Sequence, residues 1–216
     1  MKQTTLELFE TWKEDNPALM HMEPMLIKSV EKICECYENG GKVLVCGNGG
    51  SASDSEHIVG ELMKGFRKRR PLKDEAGKIL SAASDEKEGK FMVENLQGGL
   101  PAISLVSHSA LITAFANDVE PQMVFAQQVL GYGKSGDVFI GLSTSGNSKN
   151  VLYGLKVAKG LGMSVIGFTG AKDSNISERA DIILRSTETE TYKVQEEHIK
   201  FYHIICAAVE NEFYEE

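Results

Sequence analysis

Long apolar runs are absent from this 216-residue sequence. With no tract of about 18 uninterrupted apolar positions, a membrane-spanning helix is excluded. The opening stretch MKQTTLELFETWKEDNP also lacks the basic start and apolar core of a secretory signal, so the expectation is a cytoplasmic protein with no membrane partner. Cysteine is scarce. Cys34, Cys36, Cys46 and Cys206 form neither a disulfide framework nor a paired C-x-x-C zinc site, and reduced thiols are expected. Positive charge is in deficit: 23 Lys and Arg against 31 Asp and Glu give a net charge of −8, which repels nucleic acid. Lys64, Arg67, Lys68, Arg69, Arg70 and Lys73 nevertheless crowd one stretch, readable as a solvated face or as steering for an anionic substrate.

What is present suits one large globular α/β domain over residues 1–216. The first 40 residues carry helical spacing, with Leu6, Phe9 and Trp12 on one stripe and Met25, Ile27, Val30, Ile33 and Tyr37 on the next. Two helices are expected, broken near Asn16-Pro17, with Asn39-Gly40-Gly41 ending the second. Short Val/Ile/Leu-rich runs then appear at 42–47, 102–107, 137–143, 164–170 and 181–186. Such runs suit strands covered on both faces, hence a doubly wound five-stranded parallel sheet flanked by helices. The predicted helices lie at 50–67, 109–131, 148–161 and 174–179, with a long closing helix over 192–214. Residues 69–99 break this rhythm and read as an insertion with one helix.

Two strand-to-helix turns place small polar residues where helix N-terminal amides are exposed. The first is Gly47-Asn48-Gly49-Gly50-Ser51-Ala52-Ser53; the second is Ser143-Thr144-Ser145-Gly146-Asn147-Ser148. Glycines admit an anion close to the backbone, hydroxyls donate hydrogen bonds, and the positive end of the helix favours a dianion, so a phosphate fits. Neither turn is a P-loop, and the first lacks the last glycine of a dinucleotide fingerprint. The alternative is that these residues supply only turns and caps. Further on, His57 and Glu61 share one helix face at i, i+4, while Gln195, His198 and His203 sit on the closing helix. Imidazole, carboxylate and amide oxygen are zinc ligands, and imidazole with carboxylate also moves protons between adjacent sugar carbons. The plainer alternatives are a helix contact for His57 and Glu61, structural roles for His108 and His198, and a surface position for His21.

The ordered motifs GNGGSASDSEHIVGEL, ITAFANDV, GLSTSGNSKNV and VQEEHIKFYHII resemble the sugar isomerase (SIS) domain family, and within it the phosphoheptose isomerases. The resemblance covers nearly the whole chain outside the insertion. It implies conversion of sedoheptulose 7-phosphate to a manno-heptose 7-phosphate, for nucleotide-heptose and surface glycan synthesis. It implies a phosphate site at Ser51, Ser143, Thr144, Ser145 and Ser148 beside Gly49 and Gly50, and sugar contacts from Asn48, Asp118 and Gln195. Glu61 and His203 match the catalytic acid/base pair. His57, Glu61, Gln195 and His203 match zinc ligands. A homotetramer with shared sites is also implied.

Helical geometry adds one expectation: Gln195 and His203, eight residues apart, stand roughly 12 Å apart along a helix and about 80° around it. Groups from different chains are therefore expected to meet at a subunit interface. Two departures from the family pattern stand out, Tyr192 where many relatives carry aspartate, and the 69–99 insertion. Rival readings are a non-catalytic SIS platform for a protein partner, of the replication-initiator-associating type, and a sensor or isomerase of another sugar phosphate. The combination of His57, Glu61 and His203 argues against the first, and the absence of an attached DNA-binding domain against a sensor.

Overall fold

The computed structural model describes residues 1–72 and 74–215, so Lys73 of the basic stretch lies outside the described residues. Five strands, β1 (Val43–Cys46), β2 (Ala102–Ser104), β3 (Val138–Leu142), β4 (Ser164–Thr169) and β5 (Ile182–Arg185), form one parallel sheet in the order β2-β1-β3-β4-β5. Val43 pairs with both Ala102 and Val138, so β1 sits where the chain reverses its winding. In such sheets ligands bind outside the carboxyl ends of the strands at that switch point.

Strand side chains alternate between faces, and here both faces are apolar. Val43 and Val45 look into a core closed by α1 (Gln3–Asp15), α2 (Glu23–Glu38), α3 (Gly50–Met63) and α9 (Thr191–Phe213), with Phe9, Leu26, Ile33, Ile58 and Phe201 among its members. Leu44 and Cys46 look the other way, into a core shared with Phe125, Val129 and Leu155 of α7 (Val124–Tyr132) and α8 (Lys149–Gly160). The expected doubly wound sheet is therefore what forms. The break at Asn16-Pro17 is also found, as a 3-10 turn over Pro17–Met22. Leu6, however, stays exposed while Phe9 and Trp12 are buried.

Other boundaries differ for local reasons. The helix expected over 109–131 divides into α6 (Ser109–Asp118) and α7, because Pro121 has no N–H to continue the ladder and starts a 3-10 turn instead. No helix forms at 174–179. Ser174 N–H donates to Ser177 Oγ at 2.8 Å, and Asn175 donates to Asn147, local bonds that compete with helical ones. The insertion holds two helices rather than one, α4 (Asp74–Ala82) and α5 (Glu86–Asn95), with Asp85 capping the second by accepting from Glu88 N–H at 3.0 Å. Gly89 lets them approach; a Cβ there would lie 2.9 Å from Ser81 Cα.

The basic stretch is in part neither solvated nor steering. Arg70 is fully buried, and its Nε donates to Glu210 Oε1 at 2.8 Å. Its guanidinium also donates to the Glu61 and Leu62 carbonyls, two of the four that the end of α3 leaves without helical partners, the second of which accepts from Leu100 N–H as well. Glu210 additionally accepts the N–H groups of Phe66 and Arg67 at 2.8 Å and Lys68 at 3.1 Å. The loop after α3 is thereby tied to α9.

His198 is a buried structural histidine, as one of its two readings had it. Its Nε2 bonds the Thr169 carbonyl at 3.2 Å, and burial pushes its pKa down to about 4. In an unfolded chain the group takes up its proton near 6.5, so acid favours unfolding. The stability that neutral His198 supports is complete above about pH 6.5 and is lost as pH falls toward 4, on the order of 3 kcal/mol across the window. Urea denaturation midpoints at pH 7 and pH 5 should therefore fall further in the parent than in His198→Gln, which has no proton to take up.

Candidate active site

Both polar turns lie at the switch point, after β1 and after β3. The first turns tightly into α3: Gly49 has φ +57°, and a Cβ on Gly47 would sit 2.4 Å from the Ser51 carbonyl oxygen. Asn48, Gly49 and Gly50 are exposed there, and Ser51 is buried. In the second, Ser143 Oγ lies 2.9 Å from Ser148 Oγ and 3.4 Å from Ser145 Oγ, bringing three hydroxyls together ahead of α8. The Thr144 carbonyl accepts from Gly170 N–H at 3.0 Å. Gly146 has φ +65°, and a Cβ there would meet Ser174 Oγ at 2.0 Å. Asn48 and Asn150 exchange two amide bonds of 2.9 Å, joining the two turns. A cavity of about 260 Å³ beside the second turn is lined by Thr144, Ser145, Asn147, Lys172 and Thr189.

Helices α3 and α9 run alongside each other in the same direction from this point. Gln195, near the start of α9, packs over Gly50 so closely that a Cβ there would be 2.2 Å from its Nε2. Two turns later the candidate acid/base groups meet. His57 Nε2 lies 3.1 Å from Glu61 Oε1, and Lys64 Nζ is 3.3 Å from the other Glu61 oxygen. The His203 ring centroid is 5.0 Å from that of His57, and 5.6 Å from Phe66. Burial, reinforced by His57, lowers the pKa of His203, against a smaller upward pull from Glu61. His203 opens onto a groove of about 450 Å³ lined also by Trp12, Phe66, Arg67 and Lys200. Arg67 and Lys200 give its wall positive charge, so part of the basic stretch does face the candidate site.

The site residues thus fall into groups. One chain unites Glu61, His203 and His57, and places Gln195 with the first polar turn. Asp118 stands apart at the end of α6, exposed and accepting from Asn117 at 2.7 Å. Tyr192 is 60% exposed on the first turn of α9. The four residues matching zinc ligands do not fit a shared ion in one chain. Both His57 nitrogens are engaged, Gln195 is with Gly50, and among the described residues no group of three or more His, Cys, Asp or Glu is arranged to hold a metal. Sequence reasoning missed Asp54, Tyr202, Asn150 and Lys172. Asp54 and Tyr202 sit on the buried sides of their helices, where residue type alone does not separate a site group from core.

Such a sheet, with serine-rich turns at its switch point and a histidine–carboxylate cluster on the adjoining helices, defines a SIS-domain protein; one SIS-domain family model matches residues 102–208 and a second matches 19–90. Within that fold the chain belongs to the phosphoheptose isomerase family. It is 36% identical to a phosphoheptose isomerase of a Roseiflexus species, over 89% of this chain and 84% of that one. It is 38% identical to a phosphoheptose isomerase of Helicobacter pylori, over 91% and 88%. The structure of a phosphoheptose isomerase from Francisella tularensis superposes with a TM-score of 0.72 at 27% identity, over 98% of this chain and all of the other.

Proposed function

We propose that this protein interconverts sedoheptulose 7-phosphate and D-glycero-D-manno-heptose 7-phosphate through an enediol. The observation that carries this reading is the convergence of Glu61 and His57, on the helix that starts at the first phosphate-suited turn, with His203 of α9. Ser51, Ser143, Thr144, Ser145 and Ser148 would hold the phosphate at the positive ends of α3 and α8. Asn48 and Gln195, at the mouth of the first turn, would take sugar hydroxyls.

The Glu61 carboxylate removes a proton from C1 of the ketose while protonated His203 gives its proton to O2, leaving a C1=C2 enediol. Neutral His203 then takes the proton from O1, the C1 aldehyde forms, and Glu61 returns its proton to C2. Each group ends as it began. The lowered pKa makes protonated His203 a readier proton donor to O2 than an ordinary imidazolium.

A homo-oligomer, a tetramer by family resemblance, completes the reading. In its support, Leu111 of α6 and Val119 just beyond it are apolar yet 39% and 66% exposed. Asp118 on that element would join a site from another copy. Zinc belongs to this reading only as an ion held between copies, and no step above requires it. A cytoplasmic setting fits, and among the described residues no helix is long and apolar enough to cross a membrane. The test is incubation of the purified protein with sedoheptulose 7-phosphate, following aldose signals by NMR. Appearance of the heptose supports the proposal; a folded protein that leaves the ketose unchanged sinks it.

A further inference from the structure

Asn150, the second residue of α8, reaches across to the first polar turn and has no part in the reaction above. Asn48 Nδ2 donates to Asn150 Oδ1 at 2.9 Å, and Asn150 Nδ2 donates back to Asn48 Oδ1 at 2.9 Å. These two bonds close a ring between side chains 102 positions apart. Asn48 is exposed, with Gly47 before it and Gly49 and Gly50 after it, so no adjoining side chain packs it in place. Among the described residues, Asn150 is the hydrogen-bond partner its side chain has.

A third bond fixes the polarity of the ring. Val151 N–H lies 3.0 Å from Asn150 Oδ1. It is one of the N–H groups that the start of α8 leaves without helical partners, since helical bonding begins with Leu152 N–H and the Ser148 carbonyl. An N–H can only donate, so the atom it meets must be the oxygen of the Asn150 amide. The Asn150 nitrogen then points at Asn48, which answers with its own oxygen, and the Asn48 nitrogen returns to the Asn150 oxygen. One backbone donor thus orients both amides. A side-chain amide carries two N–H groups and two lone pairs on its oxygen. The Asn150 oxygen spends both lone pairs, on Val151 and on Asn48. Asn48 spends one N–H and one lone pair, which leaves one donor and one acceptor on its outer edge.

We propose that Asn150 is a positioning residue: it holds the Asn48 amide in one orientation, so that the free donor and acceptor of Asn48 are presented to the sugar hydroxyls. It does so from the helix whose N-terminus would receive the phosphate, so the two turns act as one frame and a phosphate seated at the second sets where the sugar meets the first. The kinetic consequence rests on the function proposed above, whereas the orientation of Asn48 does not.

Crystal structures of the parent and of Asn150→Ala make the first test. The parent should show the Asn48 amide in one orientation against Asn150, and the variant should show it in several orientations or turned to a new one. Asn48 not bonded to Asn150 in the parent, or placed identically in the variant, overturns the proposal. The second test is kinetic. Asn150→Ala should lower kcat/KM for sedoheptulose 7-phosphate roughly tenfold, the scale of a lost hydrogen bond. Inorganic phosphate, which would occupy the second turn alone, should inhibit parent and variant with the same constant. In an Asn48→Ala background the change at Asn150 should cost little more, because coupled groups are not additive. Weakened inhibition by phosphate, or equal losses with and without Asn48, would mark Asn150 as a support for α8 alone and overturn the proposal. Absence of turnover in the parent would remove the isomerase reading, while the crystal structures would still decide whether Asn150 orients Asn48.

Discussion

Glu61→Gln is expected to lower turnover of sedoheptulose 7-phosphate by roughly 10²- to 10⁴-fold, the range associated with losing a positioned proton-transfer group. The amide has nearly the same shape and can still face His57 and Lys64, so folding and substrate affinity should be largely kept. What disappears is a basic oxygen able to take the C1 proton. A fall in kcat with KM little moved is the signature of an interaction made in the transition state. His203→Ala should lose a comparable factor for the complementary reason, that no group then supplies the proton to O2. The double variant should lose little more than the worse single one, since proton removal and proton delivery belong to one step. Aldose formation followed by NMR, with circular dichroism on each variant, reads all three. Substantial turnover in either single variant, well folded, would remove that residue from the pair.

The second large effect concerns stability. Glu210→Ala should destabilise the protein by about 3–5 kcal/mol, because it leaves the fully buried Arg70 guanidinium without its counter-charge. It also strips an acceptor from the N–H groups of Phe66, Arg67 and Lys68. Arg70→Met should cost less. Glu210 would keep those three N–H partners; the Glu61 carbonyl would lose the Arg70 donor, while the Leu62 carbonyl would still accept from Leu100 N–H at 3.0 Å. Combining the two changes should not restore parental stability, since the three N–H groups stay unpaired whatever fills the space of Arg70. Urea denaturation at one fixed protein concentration measures the order. A double variant as stable as the parent would show that the backbone bonds to Glu210 contribute little.

Arg70 also illustrates where sequence reading stops. In a run of six basic residues nothing local distinguishes the one that is buried. Its partner lies 140 positions away, and only the packing of the loop after α3 against α9 brings them together. The same holds for the cluster beyond His57 and Glu61, whose i, i+4 spacing on one helix declared them neighbours. The approach of His203 to His57 depends on how α9 lies beside α3. Tyr202 and Asp54 carried no signal at all, because an aromatic or an acid on an amphipathic helix reads first as packing or as surface.

Some local errors have equally physical origins. The turn at 174–179 was disguised by an Ile176 that fits helical spacing, while the Ser174–Ser177 and Asn147–Asn175 bonds that prevent a helix are partly long-range. Pro121, by contrast, was visible and should have divided the helix predicted over 109–131. The insertion reads poorly for another reason: its two helices pack on each other through Gly77 and Gly89, contacts that the spacing within either segment does not reveal.

By itself the sequence determined the five strands and their parallel arrangement, since short Val/Ile/Leu runs alternating with helices admit few other folds. It also determined the chemistry of the two turns, because glycine and serine at a strand-to-helix junction act through local backbone geometry. The tertiary structure alone decided that both turns meet at one switch point, that Gln195 joins the first turn rather than the acid/base cluster, and that a buried Tyr202 stands behind His57. Those are contacts between residues 102 to 145 positions apart, set by how helices pack on a shared sheet, and no local pattern encodes them.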